Sequence, residues 1–259
     1  MIASMFGTSR RVVLSAVLAF VATGVAAVTQ ASAAEVKMIA SNAVKEAYLQ
    51  LVPQFEKASG HHVTVDWVGT GDIVRRIGGG EVADVVIGPS FTIDDLIKQG
   101  RLAPGRVDVA KSIIGVALRP GAPKPDLSSG EGLKKSLLTA KSIILSGGPS
   151  GMYLAKLFAR MGIADRIEGK TKTLAPGASP GEAVARGEGD IGFTQVSELL
   201  AVKGIDYLGP LPADVQDVTT FSAGLGMAAP QPEAAKALLR FTTSAQSAAV
   251  LRKTGLQAP

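Results

Sequence analysis

The sequence predicts an α/β fold with mostly parallel strands, on three observations. Short runs rich in Val and Ile alternate with stretches of helical period from Glu35 to the C-terminus. Most of these runs end in a loop of Ser, Thr, Asn or Gly that opens onto the next helix. Beyond its first apolar segment the chain keeps about 225 residues, enough for one large domain or two small lobes with cores of their own.

Val36 to Ile39 reads as the first strand, stopped by Ala40-Ser41-Asn42, and the helix from Ala43 to Ser59 places Ala47, Leu51, Phe55 and Ala58 on one face before Gly60 caps it. Val63 to Trp67 alternates as a second strand. Gly69-Thr70-Gly71 then opens a short helix that carries Arg75 and Arg76 and ends in a glycine turn. A helix starting there directs free N–H groups and the positive end of its dipole at whatever lies beside Thr70, which makes an anion seat. An apolar strand from Val82 to Ile87 delivers Pro89-Ser90 to a loop, and Ile93 to Gln99 is a helix ended by Gly100. Ser112 to Leu118 is another strand, and the Pro- and Gly-rich segment after it, Pro120 to Pro125, reads as a linker or a crossing between lobes. Gly132 to Ala140 is helical. The strand Ser142 to Leu145 delivers SGGPSG, Ser146 to Gly151, onto the helix Met152 to Met161, a second candidate anion seat. Leu174 to Ser179 is a short extended run, Pro180 starts the helix to Arg186, Asp190 to Phe193 is a buried strand, and Thr194-Gln195 opens a helix to Ala201. A last strand region begins at Tyr207 and returns as Thr219 to Met227, followed by helices Pro232 to Arg240 and Ser244 to Lys253.

The first 33 residues read as a secretory signal: Arg10 and Arg11 precede an apolar run, and Ala31-Ser32-Ala33 is a small-x-small cleavage pattern. Without those two arginines the formal charge falls from +5 to +3. With no Lys/Arg tract and few aromatics, so mild an excess points to small anions and away from nucleic acid. There is no cysteine, which excludes disulfides, and the adjacent His61 and His62 read as surface residues, so no metal site is expected.

Four strand-end loops share one chemistry: Ser41-Asn42, Thr70-Gly71, Ser150-Gly151 and Thr194-Gln195. In an open parallel sheet such loops gather in one crevice, where neutral hydroxyls, amides and helix N-termini hold an oxyanion, with Arg75 and Ser90 as further candidates. Catalytic signatures are missing. There is no Gly-x-Ser-x-Gly elbow, no histidine beside SGGPSG and no Walker loop, and no cofactor is implied. The carboxylates Asp94, Asp95, Glu182 and Glu188 read as solvated.

The opening strand with ASN, the GTGDIVRRI and GGGEVADVVIGPS blocks, SGGPSG, ARGEGDIGFTQVSEL and the closing PEAAKALLRFTTSAQSAAVLRKTGL together resemble periplasmic substrate-binding proteins of the molybdate-binding type, over essentially the whole mature chain. The resemblance implies two α/β lobes, residues 34–112 with 227–259 and residues 113–226, joined by crossings near Ile113 to Leu118 and Thr219 to Gly226. It implies a ligand in the cleft between them, a periplasmic location, a monomer, and an ABC transporter permease as partner. The oxyanion contacts it implies fall on Ser41 or Asn42, Thr70, Ser150 or Gly151, and Thr194-Gln195. The second loop reads GTGD where molybdate binders usually have a serine pair, and GFTQVSEL lacks their usual tyrosine. The GEAVARGE and GFTQVSEL stretches also resemble the aconitate isomerase subgroup, which implies a cofactor-free isomerase with Glu182, Tyr153 and Lys45 as candidate acid or base groups.

Overall fold

The computed structural model describes residues 33–259; the expected secretion signal lies outside the described residues but for its last alanine. Among them, nine strands alternate with helices. In chain order these are β1 (Glu35–Ser41), α1 (Lys45–Ser59), β2 (His62–Val68), α2 (Thr70–Gly78), β3 (Val85–Pro89), α3 (Ser90–Lys98) and β4 (Val107–Leu118). There follow α4 (Gly130–Thr139), β5 (Ile143–Leu145), α5 (Pro149–Arg160), α6 (Ala164–Ile167), β6 (Thr171–Thr173), α7 (Pro180–Ala185), β7 (Ile191–Gln195), α8 (Val196–Leu199), β8 (Asp206–Pro210), β9 (Val218–Leu225), α9 (Pro232–Thr242) and α10 (Ala248–Lys253).

The strands run in the order β2-β1-β3-β9-β4-β7-β5-β6, with β8 on the other side of β4. β1 is parallel to β2 and β3, and β7 and β6 flank β5 in parallel, whereas β9 is antiparallel to β3 and β4. The long β4 joins two sheets: Val107 to Ile113 pairs with β9, and Ile114 to Leu118 pairs with β7 and, from Gly115, β8. The result is a two-lobed mixed α/β fold.

Each lobe has helices on both faces of its sheet because successive strand residues point to opposite sides. In the first lobe Met38, Val85 and Ile87 pack with Tyr48, Leu51 and Phe55 of α1 and Leu238 of α9, while Ile39 and Val86 pack with Ile73 of α2 and Ile93 and Leu96 of α3. In the second, Ile143, Leu145 and Phe193 face Leu133, Leu154 and Phe158 of α4 and α5, and Ile144 faces Ala183 and Val184 of α7. Each such fully buried side chain contributes about 1.5–3 kcal/mol, so both lobes carry apolar cores.

Four details differ from the sequence reading. Pro120 to Pro125 does not cross between lobes: it joins β4 to α4, and Ala122 packs in the second core. β9 pairs along its length in the first sheet and Phe221 and Ala223 sit in the first core, so the chain returns ahead of residue 218. The strand expected at Leu174 to Ser179 lies at Thr171–Thr173, and the residues after it form a turn at Pro176-Gly177. α8 closes after one turn at Leu199, short of Ala201, with Val196, Ser197 and Leu199 buried and Leu200 already exposed.

Candidate functional site

The carboxyl ends of β1 and β2 in one lobe and of β5 and β7 in the other face each other, so the loops after them share one small pocket of about 30 Å³. Ser41, Asn42 and Thr70 line it from the first lobe, and Ser150 and Gln195 from the second, with Glu198 beside them. The lobes touch around it. The Asn42 amide donates to the Gly177 carbonyl (3.2 Å), and the Ser197 hydroxyl donates to the Ala43 carbonyl (2.7 Å). Gly69 lies so close to the Pro176-Gly177 turn that a Cβ on it would come within 2.3 Å of the Gly177 nitrogen.

Two helices of ordinary length begin at the pocket. In α2 the N–H groups of Asp72 and Ile73 return to the Gly69 carbonyl (3.0 and 3.1 Å), which leaves those of Thr70 and Gly71 without an intrahelical partner. In α5 Pro149 has no N–H, and Met152 returns to the Gly148 carbonyl (3.1 Å), so Ser150 and Gly151 present theirs. Ser41 caps the turn before α1 by accepting from Ala43 N–H at 3.3 Å.

Two buried polar atoms in the pocket have no protein partner, the Ser150 hydroxyl and the Gln195 Oε1. Ser150 is 1 % exposed and Gln195 2 %, so water does not compensate them from bulk. Gln195 Nε2 donates to Thr219 Oγ1 (3.2 Å). A half-turn of the amide keeps that bond, with the Thr219 hydroxyl donating to Oε1, and turns the NH2 group into the pocket. Both orphaned groups can then donate to an anion.

Among the described residues, Glu198 is the one ionisable side chain on this pocket. It is half-buried, Thr194 Oγ1 donates to its Oε2 at 2.5 Å, and burial pushes its carboxyl above the ordinary carboxylate range, with the bonds from Thr194 and from the Gln195 backbone pulling partly back. Sequence reading missed it. The available signal was the Thr194–Glu198 spacing of four, which returns a carboxylate to the hydroxyl at a helix start.

Beside the small pocket lies a wider chamber of about 630 Å³, lined by Lys45, Glu46, Glu182, Arg186 and Lys203, with Asn42, Gly177, Ala178 and Glu198 common to both. Lys45 and Glu182 therefore stand at the outer chamber and not on the small pocket. Glu182 is 65 % exposed, its N–H is capped by the Ser179 hydroxyl (3.2 Å), and it faces Arg186.

The structure does not bring every expected residue to the site. Arg75 is 71 % exposed and pairs with Asp72 at 2.8 Å, while Arg76 is held by Glu81 and Asp66 at 2.6 and 2.5 Å, so neither guanidinium turns to the cleft. Tyr153 donates to the Val215 carbonyl (2.9 Å) under Arg160, and with Ser90 it lines a separate groove of about 270 Å³. Thr194 acts through Glu198. Gly71 packs on Pro176, and Gly151 is a contact point: a Cβ there would overlap the Ser146 carbonyl oxygen at 1.7 Å.

Residues 36–257 match the family described as bacterial extracellular solute-binding protein. An aconitate isomerase from a Pseudomonas species is 36% identical over 227 residues, 85% of this chain and 86% of that protein. The periplasmic molybdate-binding protein of Azotobacter vinelandii superposes with a TM-score of 0.74 at 19% identity, over 86% of this chain and 99% of that one. The sulfate-binding protein of Mycobacterium tuberculosis gives 0.72 at 17% identity, over 86% of each chain. At such identities the two structures show a shared fold. The match along nearly the whole described chain and the two-lobed cleft together establish that this protein belongs to the bacterial extracellular solute-binding protein family.

Proposed function

We propose that the chain is a periplasmic binding protein that closes its lobes on one small anion, a molybdate-like oxyanion or a small carboxylate, and passes it as a monomer to an ABC transporter permease. The observation that carries this reading is the small pocket itself, where neutral donors from both lobes and two helix N-termini converge and two buried polar atoms lack protein partners. Neutral donors fixed in place stabilise an oxyanion and still let it leave. The relatives that bind molybdate and sulfate on this fold support an anionic ligand. The test is thermal unfolding of the chain from Ala34 with molybdate, tungstate, sulfate, phosphate, citrate, and cis- and trans-aconitate. A ligand at a hundred times its dissociation constant adds about 2.7 kcal/mol, a rise of several degrees. No shift with any of them overturns the anion reading.

A second reading is a cofactor-free isomerase of aconitate, favoured by the whole-length likeness to an aconitate isomerase and by a raised-pKa carboxyl at the pocket. Of the acid-base candidates, Glu198 replaces Tyr153, whose hydroxyl is engaged elsewhere. Ultraviolet absorbance follows the double bond directly: turnover that falls at least about 100-fold in Glu198→Gln supports this reading, since positioned proton transfer contributes 10²–10⁴-fold. Absence of turnover in the unaltered protein removes it.

A further inference from the structure

Glu198 is out of place in a pocket built to hold an anion. An ionised carboxylate there would repel the ligand across a few ångströms of poorly solvated space, yet the side chain faces both the small pocket and the outer chamber. We infer that Glu198 binds the ligand as the neutral acid, its Oε2 held by the Thr194 hydroxyl and its own proton donated to an anion oxygen, so that each anion captured brings one proton into the cleft. The inference rests on the reading of the pocket as an anion seat and deepens it: one donor of the site is a titrating one.

The surroundings of Glu198 agree with a neutral acid. Among the described residues the small pocket contributes no other ionisable side chain. Facing it across the outer chamber are Lys45 and Glu46 of α1, Glu182 of α7, Arg186 just after α7, and Lys203 after α8. Arg186 is occupied by Glu188 at 2.8 Å and Glu182 at 3.8 Å. No Lys or Arg nitrogen among the described residues lies within ion-pair distance of the Glu198 carboxylate, so nothing nearby holds it ionised except hydrogen bonds from Thr194 and the Gln195 backbone. A serine or threonine in its place would donate at all pH values. A carboxylic acid donates only while it keeps its proton, which makes retention of the ligand conditional on pH.

The test measures the affinity of the chain from Ala34 for trans-aconitate and for molybdate between about pH 5 and pH 9, corrected for the ligand's own titration, in buffers of different ionisation enthalpy. One proton taken up per anion makes affinity fall about tenfold per pH unit above the pKa of the free protein, and makes the binding heat depend on the buffer. In Glu198→Gln, whose amide donates at every pH, the affinity becomes independent of pH and of buffer. Identical pH profiles in the two proteins, or buffer-independent heat on the falling limb, overturn the inference and leave the anion seat standing. Absence of binding by either probe at every pH overturns it together with the seat, and a Glu198→Gln protein whose unfolding midpoint is not lowered at any pH excludes misfolding as the cause.

Discussion

At the scale of single residues, the charges of this protein divide into structural and functional ones. Glu81 accepts from Arg76 and from Lys37, and these bonds, Arg76 first, hold its carboxyl down at about 2 from an ordinary 4.5. A lowered folded pKa means that the bond stabilises above the unfolded value and is lost as pH falls toward the folded one. Glu81→Gln therefore lowers stability by about 1 kcal/mol at neutral pH, and chemical denaturation shows the gap closing as pH drops from about 4.5 to about 2. Glu198 has the opposite sign. Its raised pKa keeps a proton on the folded chain where the unfolded chain has lost it, so it costs stability as pH rises past the ordinary carboxylate value. Glu198→Gln is expected to unfold later than the unaltered protein at pH 8 and at the same denaturant concentration at pH 4.

At the scale of elements, the seat depends on how closely helices approach the loops before them. α5 can start where it does because Gly151 has no Cβ to meet the Ser146 carbonyl. Gly151→Ala must push the first turn of α5 away from β5, with a loss of about 1–3 kcal/mol measured by denaturation, as for overpacking elsewhere. The same displacement moves the Ser150 hydroxyl and N–H off the pocket, so anion affinity falls as well; a variant with unchanged stability and affinity would show that this contact is not tight. α2 shows the reverse case, an element whose charges look functional and are not. Arg75→Ala leaves anion affinity within about twofold, because an exposed i,i+3 pair contributes only a few tenths of a kcal/mol.

At the scale of the whole molecule, the pocket exists only where the lobes meet. Gly69 and Gly177 form the narrowest approach, backbone against backbone, and the Asn42 and Ser197 hydrogen bonds cross at the same place. Gly69→Val holds the lobes apart without touching either core. Small-angle scattering should then give the same radius of gyration with and without molybdate or trans-aconitate, and neither anion should raise the unfolding midpoint. β4 is shared by both sheets, its pairing changing from β9 to β7 between Ile113 and Ile114, and the chain crosses back between β8 and β9; opening is expected to turn on these two connections.

The sequence by itself determined the elements and the chemistry of the loops. Hydrophobic period fixes which runs are strands and which helices, and small polar residues at strand ends are legible because they act locally, as caps and free N–H groups. Ser41, Asn42, Thr70, Ser150 and Gln195 were all readable in this way, and all five meet at one pocket. What only the tertiary structure decided is direction and distance. Arg75 and Arg76 share a helix turn with the seat, but the ion pairs with Asp72, Glu81 and Asp66 turn both away, and those partners lie on separate elements for Arg76. Glu198, an acid on a short helix of the second lobe, goes unmarked in the sequence, and only the fold brings the first lobe's Asn42 and Thr70 loops against it. Burial of a charged group is a property of everything packed around it, and no local pattern in the chain records that.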